Sequence, residues 1–98
     1  MDRLRVVYGG LARNTLGIAE EEVELPPGSR VSGLLSLLVE RHGADLRNSL
    51  FSTSGELSPL VEVFVGDQSI EDLNGLETEV GAPSKVRILL LAYPSAGG

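Results

Sequence analysis

Cysteine is absent from all 98 residues. That excludes a disulfide framework, a thiolate metal site and a cysteine nucleophile, so any sulfur chemistry here must use another group. Histidine occurs once, at His42, and with no cysteine and no second histidine it lacks the companions a metal site needs. No stretch approaches the apolar length that spans a membrane, and the start, MDRLRVV, has no long apolar segment of the signal-peptide kind. The expected location is the cytoplasm. Basic residues are the minority, 8 against 14 acidic ones, for a formal net charge of -6. Phosphate-backbone binding draws its affinity from clustered Lys and Arg, so this balance argues against nucleic acid. It fits a basic protein partner or plain solubility.

What is present is a globular composition, 42% hydrophobic and 22% charged, at a length that suits one domain with a modest core. RLRVVY (3–8) alternates, with Leu4, Val6 and Tyr8 on one face and Arg3, Arg5 and Val7 on the other, the period of a half-buried strand. After a glycine-bounded loop (9–17) with room for a turn of helix, IAEEEVELP (18–26) reads as a second, antiparallel strand. It puts Val23 and Leu25 inward and Glu20, Glu22 and Glu24 toward water. The period then changes: Val31, Leu34, Leu35 and Leu38 form one stripe of a helix, with Ser29 as expected N-cap and Gly43 as its stop. Gly33 is a poor helix former, and its place in the first turn points to close packing by a neighbour. His42, in the last turn, suits the negative end of the helix dipole.

Residues 44–59 read as a loop with a possible helical turn at LRNSLF. LVEVFV (60–65) is a strand with Val61, Val63 and Val65 inward. Gly66 and Asp67 supply a turn into the short strand QSI, EDLNGLETEV is irregular, and KVRILLLAY (85–93) is the last strand. The order is α+β, two hairpins flanking one main helix on a mixed sheet of four to five strands. This is the β-grasp (ubiquitin-like) arrangement. A helical crossover lets the first and last strands lie parallel at the centre. The expected domain covers 1–93, followed by a flexible tail, 94–98, in which Pro94 ends the strand ladder.

LGIAEEEVELPPGSRVSGLLSLLVERHG, VEVFVGDQSIEDLNGLETEV and the terminal Gly97-Gly98 resemble the ubiquitin-like sulfur carriers typified by ThiS and MoaD, with the ubiquitin-related modifier and the small archaeal modifier proteins as relatives. The resemblance covers nearly the whole chain. Two turns depart from it: Gly66-Asp67 stands where relatives often have Asn-Gly, and GAPSKV replaces an acidic turn before the last strand. It implies that an E1-like adenylyltransferase activates the Gly98 carboxylate with ATP, and that sulfur from a sulfurtransferase or desulfurase then replaces AMP to give a thiocarboxylate. Gly97 and Ala96 would thread the activating cleft, since residues with little or no side chain pass a narrow channel. On this reading the chain binds no cofactor and is a co-substrate, not an enzyme, or the small subunit of a synthase.

Period-2 geometry turns Val86, Ile88 and Leu90 to the helix and Arg87, Leu89, Leu91 and Tyr93 to the opposite side of the sheet, beside Phe64. These five are the expected partner-binding residues, unless the 44–59 segment folds over them or the last strand bulges. Three functions share such a chain: a sulfur carrier for molybdopterin-type, thiamin, cysteine or tRNA-thiolation synthesis; a modifier joined through Gly98 to lysines of target proteins; and a binding module with an inert C-terminus. Lys85 is the only lysine, so polymers built through the chain's own lysines would have one internal attachment point.

Overall fold

The strands from the two ends of the chain lie side by side at the centre of the sheet. The structure, a computed structural model, describes residues 2–81 and 85–92. In order they form β1 (Asp2–Gly10), α1 (Leu11–Leu16), β2 (Glu20–Leu25), α2 (Val31–His42), α3 (Ala44–Leu50), β3 (Val61–Val65), β4 (Gln68–Ser69), two 3-10 turns (Ile70–Asp72 and Gly75–Glu77) and β5 (Lys85–Leu90). The sheet runs β2-β1-β5-β3-β4. β1 and β5 are parallel, from Arg5 beside Lys85 to Gly10 beside Leu90, and the other pairs are antiparallel. A parallel pair cannot be closed by a tight turn, so the crossover through α2 is what permits it. This is the β-grasp fold.

Alternation decides which side chains enter the core. Leu4, Val6 and Tyr8 of β1, Val23 and Leu25 of β2, Val61 and Val63 of β3, and Val86, Ile88 and Leu90 of β5 are all buried. They meet the stripe of Val31, Leu34, Leu35 and Leu38 on α2, whose exposure is at most 0%. Cutting Leu35 or Leu38 to Ala would cost about 2–5 kcal/mol through lost transfer energy and the cavity left behind. Among the described residues, no helix is long and apolar enough to cross a membrane.

Three local expectations are corrected. The segment after Gly43 is not a loop with one turn but a helix, α3, whose Leu46 and Leu50, one turn apart, join the core. The N-cap of α2 is Arg30, with extended backbone and no side-chain cap. Ser29 instead closes the preceding turn, donating its hydroxyl to the Pro26 carbonyl at 2.6 Å. Gly33 is exposed, and a Cβ there would meet nothing within 4 Å, so no neighbour packs against it. Gly43 does stop α2, at φ 86, a backbone angle that side chains with a Cβ rarely adopt.

Candidate functional site

The face of the sheet turned away from α2 is organised in rows across the strands. At its far end Glu22, Arg5 and Lys85 stand in register, and at its middle Glu20, Val7, Arg87 and Phe64. Near the point where the chain leaves β5 the row is Gly9, Leu89 and Glu62. β5 keeps an unbroken register with both neighbours, so it carries no bulge. α3 packs against α1 and α2, on the helical side.

Phe64 and Arg87 face one another across β3 and β5, and the guanidinium lies over the ring, 5.7 Å from its centroid. Such a contact holds the long side chain in place while its charge stays in reach of water. Phe64 and Leu89 are half-buried. Leu91 is 58% exposed, the one large hydrophobic residue in that state among those described, and its N–H donates to the Leu60 carbonyl at 2.8 Å. The strand ladder thus runs on past β5 and holds the root of the tail. Glycine at the end of β1 makes the close fit possible. A Cβ on Gly9 would run into Cδ2 of Leu89, and one on Gly10, at φ 60, would come within 2.5 Å of the Leu90 carbonyl oxygen. Phe64, Arg87, Leu89 and Leu91 therefore occupy one half of the open face. Tyr93, Ala96, Gly97 and Gly98 lie outside the described residues.

The other half of the face is ionic. Arg3 lies 3.3 Å from Glu24 and 3.8 Å from Glu22, and Arg5 lies 3.3 Å from Glu20 and 3.6 Å from Glu22. The glutamates are exposed as expected, but they are paired with the arginines across β1 and β2 rather than simply solvated.

One polar cluster was not expected. Glu21 falls between the outward glutamates and so points inward, with its side chain only 12% exposed. Tyr8 Oη donates to its Oε2 at 2.6 Å, Arg41 Nη1 to its Oε1 at 2.7 Å, and His42 Nε2 lies 2.5 Å from Oε2. An ionised carboxylate only accepts, so the His42 Nε2 carries the proton it shares. Burial pushes the Glu21 pKa up, but the hydrogen bonds from Tyr8, Arg41 and His42 outweigh it and hold the carboxyl below its usual range. Tyr8 is driven far above the ordinary phenol value by burial first, then by its bond to Glu21 and that group's charge. Strict alternation from Val23 and Leu25 would have found Glu21, since it assigns an inward position to a charged residue. The cluster ties the end of α2 to β1 and β2, and it absorbs the single histidine. Among the described residues no group of three or more His, Cys, Asp and Glu side chains is placed to hold a metal ion.

No family model matches the sequence. Over 59 residues, 60% of this chain and 66% of the other, it is 39% identical to a protein of Archaeoglobus fulgidus described as a "putative sulfur carrier protein". Its fold matches the crystal structure of small archaeal modifier protein 1 of H. volcanii with a TM-score of 0.82 at 16% identity, over 94% of this chain and 100% of that one. It also matches a chain in the crystal structure of the Amycolatopsis orientalis BexX/CysO complex, with a TM-score of 0.68 at 22% identity, over 94% of this chain and 99% of that one. By this sequence match and this fold, the chain is a β-grasp, ubiquitin-like protein related in sequence to a protein described as a sulfur carrier.

Proposed function

We propose that the protein carries sulfur as a thiocarboxylate on Gly98 and acts as a co-substrate of other enzymes. The observation that supports it most is the 39% identity to a protein described as a sulfur carrier. A free carboxylate is a poor electrophile, so an E1-like adenylyltransferase first joins it to the α-phosphate of ATP, and pyrophosphate leaves. The outer sulfur of a persulfide on a sulfurtransferase or desulfurase then attacks the carbonyl carbon of the acyl adenylate and AMP departs. A thiol cleaves the resulting acyl disulfide, releasing the thiocarboxylate and itself forming a disulfide with the donor's sulfur. The cleft in which this happens excludes water, and Gly97 and Ala96 are slim enough to thread it. No side chain of the chain takes part in bond making, and the only nucleotide is the activating enzyme's ATP. The thiocarboxylate would supply sulfur in the cytoplasm to molybdopterin-type, cysteine or tRNA-thiolation synthesis, docked on a synthase large subunit in the first of these.

In this reading Phe64, Arg87, Leu89 and Leu91, with Tyr93, form the docking face for the activating enzyme, because exposed apolar area beside the working end is what a partner can bury. The second reading, a protein modifier, draws on the fold shared with a small archaeal modifier protein. Both use the same activation, and conjugation would add attack by a target lysine on the same carbonyl. The test is ATP–pyrophosphate exchange by the cognate activating enzyme with the chain lacking Gly97 and Gly98. Exchange should vanish while the fold persists. A full-length chain that supports no exchange would leave only the inert binding module.

A further inference from the structure

The net negative charge of this protein is confined to one part of it. Between Asn48 and Ser84 there are seven acidic residues and no Lys, Arg or His, so these 37 residues carry -7 while the other 61 carry +1. Among the described residues Glu77 is the one of the seven in an ion pair, 2.7 Å from Arg30. Glu56, Glu62, Glu71 and Asp72 enter no ion pair among the described residues.

The same stretch builds the β3–β4 edge of the sheet. β4 pairs only with Phe64 and Val65, so residues 61–63 have no strand on their outer side. The chain returns there as its two 3-10 turns, and a cavity of about 130 Å³ is left between them and β3. Its floor is Val61, Val63 and Ile70, all buried, and its walls are Leu57 and Leu76, both half-buried. Glu62 and Glu71 stand exposed on the rim. The volume is that of a few waters, well under the roughly 300–1,000 Å³ of cofactor sites. It suits one apolar side chain. The rim repels phosphate-bearing ligands and attracts cations.

We propose that this edge docks an extended basic segment of a partner protein, which places one aliphatic or aromatic side chain in the cavity between Lys or Arg residues that pair with Glu62 and Glu71. A single anchored side chain with charged flanks is a common economy of recognition: the pocket supplies affinity, the charges supply register and approach rate. The cavity opens at the β3–β4 edge, while Glu62 on its rim stands in register with Leu89 of the open face. Docking there does not depend on whether Gly98 is activated.

The test is selection from a random heptapeptide display library on the full-length protein, followed by titration of the selected peptides against its amide NMR spectrum. The enriched sequences should carry an apolar residue flanked by Lys or Arg, and their shifts should centre on Leu57, Val61, Val63, Ile70 and Leu76. Replacing the central residue by Ala should weaken binding at least tenfold, as should Glu62→Lys with Glu71→Lys, and added salt should weaken it further. No enrichment, enrichment of sequences without basic flanks, or shifts centred on Glu20, Glu22 and Glu24 would overturn the proposal. So would broadening of the edge amides with protein concentration alone, which would make a second copy of the chain the occupant. Should the double variant fail to fold, the selected peptide and its central-Ala counterpart decide on the unaltered protein.

Discussion

The two halves of the open sheet face use the same backbone in opposite ways. On β1 and β2 the outward positions are Arg3, Arg5, Glu20, Glu22 and Glu24, each within 3.8 Å of an opposite charge. On β5 and β3 they are Phe64, Arg87 and Leu89, flanked by the exposed charges Lys85 and Glu62, with Leu91 exposed beyond the last paired residue of the strand. Charges that satisfy one another have little left to offer a partner, and separating them costs desolvation. Apolar side chains without a cover gain by being covered. The ionic half is finished surface, and the apolar half is unfinished.

That contrast can be broken by substitution. The largest effect is expected on the apolar half: Phe64→Asp or Leu89→Asp should lower the rate of adenylation by the cognate activating enzyme at least tenfold, about 1.4 kcal/mol, with an unchanged circular-dichroism spectrum. An unchanged rate in a folded variant removes this half of the face from the docking site. Next in size is Glu21→Gln, a charge inside the fold rather than on its face. Losing a carboxylate with three donors should destabilise by roughly 2 kcal/mol in urea unfolding near neutral pH. The sign with pH follows from its lowered pKa: the contribution is fully present above the ordinary carboxylate value and is lost as pH falls through the folded-state value. The wild type should therefore lose stability on acidification over that window, and the difference from Glu21→Gln should shrink.

On the ionic half, Arg5→Ala should cost about 0.5 kcal/mol or less, fading further in salt, and should leave adenylation unchanged. A tenfold loss of adenylation there would erase the distinction between the halves. The smallest effect lies off the face: Gly33→Ala on exposed α2 should stabilise by about 0.5 kcal/mol in the same unfolding experiment, because open space surrounds the added Cβ.

How much of this was legible in the sequence depends on how far a residue's fate is set by its own strand or helix. The period of β1, β2, β3 and β5 and the stripe on α2 were legible, and with the crossover rule they led to the central parallel pair. The outward placement of Phe64, Arg87, Leu89 and Leu91 followed from the same count. α3 was not legible, because its seven residues offer only the Leu46–Leu50 pair as periodic signal and their burial depends on α1 and α2. Ser29 looked like a cap by residue type, but a turn at Pro26 competed for its hydroxyl. Gly33 was read as a contact because glycine in a helix invites a reason, and none is present. The Glu21 cluster joins three separated parts of the chain, which only the tertiary fold brings within hydrogen-bonding reach.

The claim that Gly98 carries sulfur is tested most directly by the intact mass of the protein isolated from its own cells and again after incubation with the activating enzyme, ATP and a sulfur donor. The account predicts a species heavier by the difference between one sulfur and one oxygen atom, with the gain confined to the C-terminal peptide. Unmodified carboxylate alone, in both samples, would contradict it.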